Sequence, residues 1–280
     1  MLFPKIRRRQ NEVNAYFHST AAYWKEIYEK RGLRPLTYQR RRDIALLWIA
    51  DIGLPHSARI LEVGCGAGVL TAALASAGYA VDAIDTAFAM AEMTRQHVVE
   101  AGLATRVTVA GGDVHALGFP NGCFDVVVAL GVLPWLHSEA LAIAEMHRVL
   151  KAGGYLLVTA DNESRLDRLL DPISTPPLAP LRRITKAMLP GARMPQPPRA
   201  FDSKRHRPAE IDRLLSLFGM EKVRSETLGF WPLTFCGHEI LSDAVSVRID
   251  RFLRALAKNK FPGLKTTGSQ YIVLSQKPPT

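Results

Sequence analysis

The run Arg59-Ile-Leu-Glu-Val-Gly-Cys-Gly-Ala-Gly68 constrains this chain more than any other stretch. An apolar segment carrying one acid gives way to three glycines at alternate positions, and Val69-Leu-Thr-Ala-Ala-Leu74 follows. Residues 60–63 read as a buried strand. Gly64, Gly66 and Gly68 read as a loop whose missing side chains let backbone pass close to a ligand, with a helix starting near Gly68. Strand, glycine loop and helix together are the opening unit of an α/β fold that binds a small ligand beyond its strand ends.

Spacing and charge narrow the ligand. Dinucleotide sites space their glycines G-x-G-x-x-G and hold a pyrophosphate on bare amides. Here the pattern is G-x-G-x-G, and Glu62 stands two residues before the first glycine, where a carboxylate repels pyrophosphate but suits a cation. Val81-Asp-Ala-Ile-Asp85 reads as a second strand ending in an acid, a little beyond the roughly 20 residues at which ribose-binding acids follow a glycine loop. Gly111-Gly-Asp113-Val114, Phe124-Asp-Val-Val-Val-Ala-Leu130-Gly-Val-Leu133 and Arg148-Val-Leu-Lys-Ala-Gly-Gly-Tyr-Leu-Leu-Val-Thr159 follow in turn. Each piece alone has a plain structural reading: Asp85 as a helix cap, Asp113 as a turn residue.

Together and in this order, they resemble the class I methyltransferases that use S-adenosylmethionine (SAM). That resemblance covers residues 58–159. It implies a Rossmann-like, seven-stranded, mostly parallel sheet with helices on both faces, supplemented by N-terminal helices and lid insertions. It also implies that Glu62, Gly64, Cys65, Gly66, Gly68, Asp85, Thr86, Asp113, Val114 and Leu130 bind SAM and its product S-adenosylhomocysteine (SAH). Within that set, Asp85 would take the ribose hydroxyls, while Asp113 and the Val114 amide would take the adenine.

The flanks are read from pattern. Residues 1–57 read as helical, with two helices expected over 11–52 and an aromatic stripe of Tyr16, Phe17, Tyr23, Trp24 and Tyr28, and the resemblance implies that they act as a lid. Such a stripe ordinarily packs a helix onto a core. As lid residues, Tyr16, Tyr28 or Tyr38 would reach the site, and the sequence does not choose among them. Residues 58–160 form the SAM-binding core, with helices near 68–77, 87–101 and 137–150. Residues 161–207 form a cap insertion rich in Pro and Arg, with short amphipathic helices expected at 166–171 and 181–189. Residues 208–280 return to the sheet with a helix over 208–218, a strand over 220–228 and a last strand over 269–275. The segment 229–268 is an insertion with a helix over 238–256.

Cys65, Cys123 and Cys236 are scattered, which indicates neither a disulfide framework nor a metal site. The expectation is a reducing, cytoplasmic setting, with neither a secretory leader nor an apolar run of membrane-spanning length. Net charge is +10, concentrated outside the strands in 25–42 and 165–207, which serves solubility or faces anionic partners. The loop Ala129-Leu-Gly-Val-Leu-Pro134 lacks the N-P-P-Y-type tetrad of many base-modifying relatives, so nucleic acid is disfavoured. Peripheral membrane contact stays open, and oligomeric state is not legible.

Methyl transfer from a sulfonium is an in-line displacement, so positioning carries much of the catalysis and a base is needed only where the acceptor must lose a proton. His137 lies where many of these enzymes place a histidine near the methyl group. It is the candidate base, with Asp161 and Glu163 as rivals. The expected acceptor is a small apolar or anionic-headed metabolite of isoprenoid, quinone or porphyrin type, methylated on oxygen or carbon. The alternatives are a nucleic-acid methyltransferase and a non-catalytic SAM-binding partner protein.

Overall fold

The computed structural model describes residues 2–171, 175, 203–230, 234–235, 238–258, 261 and 263–279. The helix expected at 181–189, the prolines from Pro172 to Pro198, Trp231 and Cys236 lie outside the described residues.

The elements run α1 (Leu2–Ser19), α2 (Ala21–Glu26), α3 (Leu33–Asp51), β1 (Arg59–Val63), α4 (Val69–Ser76), β2 (Ala80–Asp85), α5 (Phe88–Glu100), β3 (Val107–Gly111) and β4 (Phe124–Ala129). They continue with α6 (Glu139–Val149), β5 (Leu150–Asp161), α7 (Leu166–Leu170), α8 (Pro208–Leu217), β6 (Glu221–Leu228), β7 (Thr234–Phe235), β8 (His238–Glu239), α9 (Asp243–Lys258) and β9 (Gln270–Gln276). One seven-stranded sheet has the order β3-β2-β1-β4-β5-β9-β6. Its strands pair in parallel except β9, which is antiparallel to both β5 and β6.

Alternation along the central strands explains why both faces are covered. Leu61, Val63, Val127 and Val158 face a core completed by Ile143 and Met146 of α6 and by Ile211 and Leu215 of α8. Ile60, Val126, Val128 and Leu157 face the opposite core, with Ala45, Trp48 and Ile49 of α3 and Leu70 and Leu74 of α4. Each buried Leu or Ile contributes about 1.5–3 kcal/mol relative to exposure, and the strands that bury them on both faces hold the sheet flat-on between helices.

Several boundaries differ from the sequence reading. The N-terminal region forms three helices rather than two. The Ser19 and Thr20 hydroxyls donate back to the Tyr16 carbonyl and end α1, and Gly32 at φ 130° separates α2 from α3. Helix α6 starts at Glu139 rather than His137, because Leu133–Trp135 makes a 3-10 turn and Ser138 then caps the helix, accepting from the Leu141 N–H. In the late insertion, β7 and β8 pair antiparallel before α9, so the helix begins at Asp243 rather than at His238. Asp250, wholly buried, ties α9 to the rest by pairing with Arg40 of α3 and accepting from the Phe230 N–H.

Candidate active site

The carboxyl ends of β1 to β5 open on one continuous pocket, about 1240 Å³ when the open solvent at its mouth is counted. Glu62, Gly64, Cys65 and Gly66 line it from β1 and the following loop. Asp85 and Thr86 line it from β2, Asp113 and Val114 from beyond β3, and Leu130 from beyond β4.

The glycine loop is shaped by contacts that side chains would destroy. Gly64 has φ +70°, and a Cβ there would lie 2.5 Å from Val132 Cγ2. Gly68 has φ +77°, and a Cβ there would lie 2.9 Å from the Thr94 Cα of α5. Gly68 is therefore behind the pocket rather than on its wall, and it works by letting α4 and α5 approach. At Gly66, by contrast, a Cβ would meet no atom within 4 Å, so its backbone faces open pocket.

Asp85 holds this loop in place. Its Oδ2 accepts from the Gly66 N–H at 3.1 Å and its Oδ1 from the Ala87 N–H at 2.9 Å. Burial raises its pKa against the pull of those amides. A carboxylate offers about four lone-pair sites, so beyond its backbone amides Asp85 keeps acceptor capacity for a hydroxyl donor. Glu62 is 4 % exposed and accepts from the Thr71 hydroxyl. Burial lifts its carboxyl to about 8, the Thr71 hydrogen bond pulls down and Asp85 pushes up, so at neutral pH it is mostly protonated unless a cation sits beside it. The Cys65 thiol is buried, receives the Thr94 hydroxyl at 3.3 Å and is pushed well up by burial, which makes it an inert wall group. One oxygen of Asp113 accepts from the His115 N–H and bonds His115 Nδ1 at 2.7 Å, and that bond to His115 holds the carboxyl below its usual range.

His137 is the one expected catalytic residue off the pocket wall. Its ring stacks on His115 with centroids 3.5 Å apart, and it is His115 that faces the cavity. Burial and the neighbouring His115 lower the His137 pKa. Of its rivals, Asp161 lines the pocket, while Glu163 lies outside and pairs with Arg207 and Arg168.

The other end of the pocket is made by the N-terminal helices. Phe17, Trp24, Tyr28, Tyr38 and Arg41 line it together with Pro134 and Trp135 of the loop after β4 and Gln270 of β9. Tyr28 and Tyr38 therefore reach the site, whereas Tyr16 packs behind, stacked on Trp135 at 5.5 Å. Helix α1 is fastened to the loop after β2 by Gln10 and Asn14, which both bond the Thr86 hydroxyl. The sequence reading missed Arg41, His115 and Gln270. For Arg41 a signal existed: it occupies the i+4 stripe Leu33, Thr37, Arg41, Ala45 that α3 buries.

The described ends of the cap insertion flank this mouth. The Lys204 N–H donates to the Pro134 carbonyl, its Nζ pairs with Glu139 at 2.9 Å, and the His206 N–H donates to the Asp161 carbonyl. Among the described residues no group of three His, Cys, Asp or Glu is placed to hold a metal ion, and no helix is long and apolar enough to cross a membrane.

Residues 61–158 match a family model described as a methyltransferase domain. The chain is 25 % identical over 223 residues to a ubiquinone biosynthesis O-methyltransferase of Thiobacillus denitrificans, covering 80 % of this chain and 88 % of the relative. A Pseudomonas aeruginosa protein of the same name is 32 % identical over 150 residues, covering 52 % of this chain and 64 % of the relative. Among solved structures, a magnesium protoporphyrin IX methyltransferase from Synechocystis with bound SAH superposes with a TM-score of 0.63, at 19 % identity, covering 96 % of this chain and 99 % of that one.

Proposed function

We propose that this chain is a SAM-dependent methyltransferase that methylates an oxygen atom of a small, lipid-like acceptor whose flat ring lies against the aromatic end of the pocket. The observation that carries this reading is the pocket's division: an acid-and-glycine end formed by β1 to β3, and an aromatic end formed by α1 to α3, continuous with each other. The relatives named as ubiquinone biosynthesis O-methyltransferases support an oxygen acceptor with a lipid-like body.

Bound SAM supplies a methyl group on a sulfonium, which needs an attacking atom placed in line and no metal. Gly64 to Gly66 and Asp85 would hold its ribose and amino-acid portions, Glu62 would offset a cationic group, and Asp113 and Val114 would take the adenine. His115 fixes the Asp113 carboxylate for that purpose, which makes it a positioning residue. Trp24, Tyr38 and Trp135 would clamp the acceptor ring and exclude water. His137, kept neutral by its surroundings, is the proposed proton acceptor and would reach the cavity once the His115–His137 stack opens.

Incubation with methyl-labelled SAM and a lipid extract, followed by mass spectrometry of the organic phase, tests the reading. Label in a ring-bearing lipid supports it. Label confined to RNA or protein would overturn it.

A further inference from the structure

Arg41 stands apart from its neighbours among the described charges. It is 6 % exposed, it lines the pocket, and no described carboxylate comes within the 4.0 Å of an ion pair. Its sequence neighbours behave otherwise: Arg40 pairs with buried Asp250, and Arg42 pairs with Asp43 at 2.7 Å near the surface. The guanidinium of Arg41 lies 4.8 Å from the centroid of the Tyr38 ring, and its Nη2 donates to the Tyr28 hydroxyl at 3.3 Å. Its Nε is buried with no hydrogen-bond partner. A guanidinium carries five N–H donors, and among the described residues one of them is engaged.

The loop after β4 makes room for this group. Gly131 has φ +74°, and a Cβ there would lie 2.7 Å from Arg41 Nη1. A fold that buries a cation without a counter-ion forgoes stability unless something else supplies the negative charge. Asp161 lines the same pocket and its carboxyl feels Arg41, but the two make no ion pair within 4.0 Å, so the guanidinium fork is not occupied by it.

We propose that Arg41, with the Tyr28 hydroxyl beside it, is the binding site for an anionic oxygen on the methyl acceptor, a carboxylate or phenolate attached to a flat apolar body. The planar fork of Arg accepts such oxygens with fixed geometry, and the Tyr38 face beneath it orients the fork. The site selects acceptors that enter ionised, and Gly131 is the residue that lets the guanidinium reach them. This rests on the oxygen-acceptor reading above.

Equilibrium dialysis in saturating SAH tests it with three probes of one shape: 2-naphthoate, its methyl ester and 2-naphthol. Wild-type protein should bind the carboxylate about ten- to hundredfold more tightly than the ester, and R41M should remove that preference while the ester's affinity stays within about twofold. A 2-naphthol affinity that climbs with pH in wild type and not in R41M places phenolates in the site; a flat profile places carboxylates alone there. No carboxylate preference in wild type, or a preference that survives in R41M, overturns the proposal. If R41M does not fold, R41K decides, since it keeps the charge but loses the fork: naphthoate should weaken severalfold with the ester unchanged, and equal loss of both contradicts the proposal. Failure of wild-type protein to bind SAH at all would instead count against the methyltransferase reading.

Discussion

The glycine end and the aromatic end of the pocket differ in what builds them. The first is made of backbone, with strand ends, a loop of three positive-φ glycines and amide-to-carboxylate bonds such as Gly66 to Asp85 at 3.1 Å. The second is made of side chains on helices that precede the sheet, held by ring contacts such as Trp24 on Tyr38 and Tyr16 on Trp135. Backbone geometry tolerates little change, while a wall of packed rings can be refitted to another ligand at modest cost. On the proposed reading, a fixed cofactor end and an adjustable acceptor end are what one fold needs to serve many acceptors.

Substitutions should separate the two ends. The largest effect is expected at His137: as the proton acceptor, His137→Gln should lower kcat by about a hundredfold or more with SAH affinity unchanged. An undiminished kcat would shift proton removal to Asp161 or remove the need for a base. Next in size, Asp85→Ala should weaken SAH binding by roughly ten- to hundredfold, since it removes hydrogen bonds to a charged group worth about 1.5–3 kcal/mol. Trp24→Ala should leave SAH binding alone and raise the acceptor KM. Equal losses of SAH affinity in both variants would erase the distinction between the ends.

A smaller effect concerns Glu62, whose carboxyl is raised to about 8, chiefly by burial. A cationic ligand binds the ionised form, so binding should release a proton, and affinity should grow with pH towards about tenfold per unit below pH 8, levelling above it. Calorimetry in two buffers of different ionisation enthalpy counts that proton, and Glu62→Gln should abolish both effects. The free protein binds this proton more tightly than the unfolded chain does, so this group's contribution to stability falls as pH rises from about 4.5 to about 8. The smallest effect is expected at Thr86, where the hydroxyl joins Asn14 and Gln10 of α1 in exposed bonds. Thr86→Val should cost about 0.5–1.5 kcal/mol of local stability, seen as faster amide exchange in α1 and unchanged exchange in α4.

How legible each end was in the sequence follows from the same contrast. Glu62, Gly64, Asp85 and Asp113 sit at ends of strands that bury both faces, so apolar runs mark where each residue must lie, and the sheet order then brings them together. Glycine spacing puts Gly68 on the wall with the others, because it does not say whether the missing Cβ clears a ligand or, as here, the Thr94 backbone. The family resemblance puts His137 at the pocket because it follows the loop after β4, whereas the intervening His115 ring comes from a loop that only tertiary packing brings there. Arg41 was hidden inside Arg40-Arg41-Arg42, a run that reads as solvated charge, although the buried stripe of α3 singles out its middle member. Gln270 lies at the start of the last strand, which enters the sheet beside β5 and so returns to the site from far along the chain.

The central claim is that the acid-and-glycine end binds SAM and SAH and that the aromatic end does not. Calorimetric titration of SAH and of NAD into wild-type protein, Asp85→Ala and Trp24→Ala tests it most directly. The prediction is one SAH site per chain in wild type and Trp24→Ala with equal affinity, marked weakening in Asp85→Ala, and no comparable NAD response. NAD binding more tightly than SAH, or SAH binding that depends on Trp24 and not on Asp85, would contradict it.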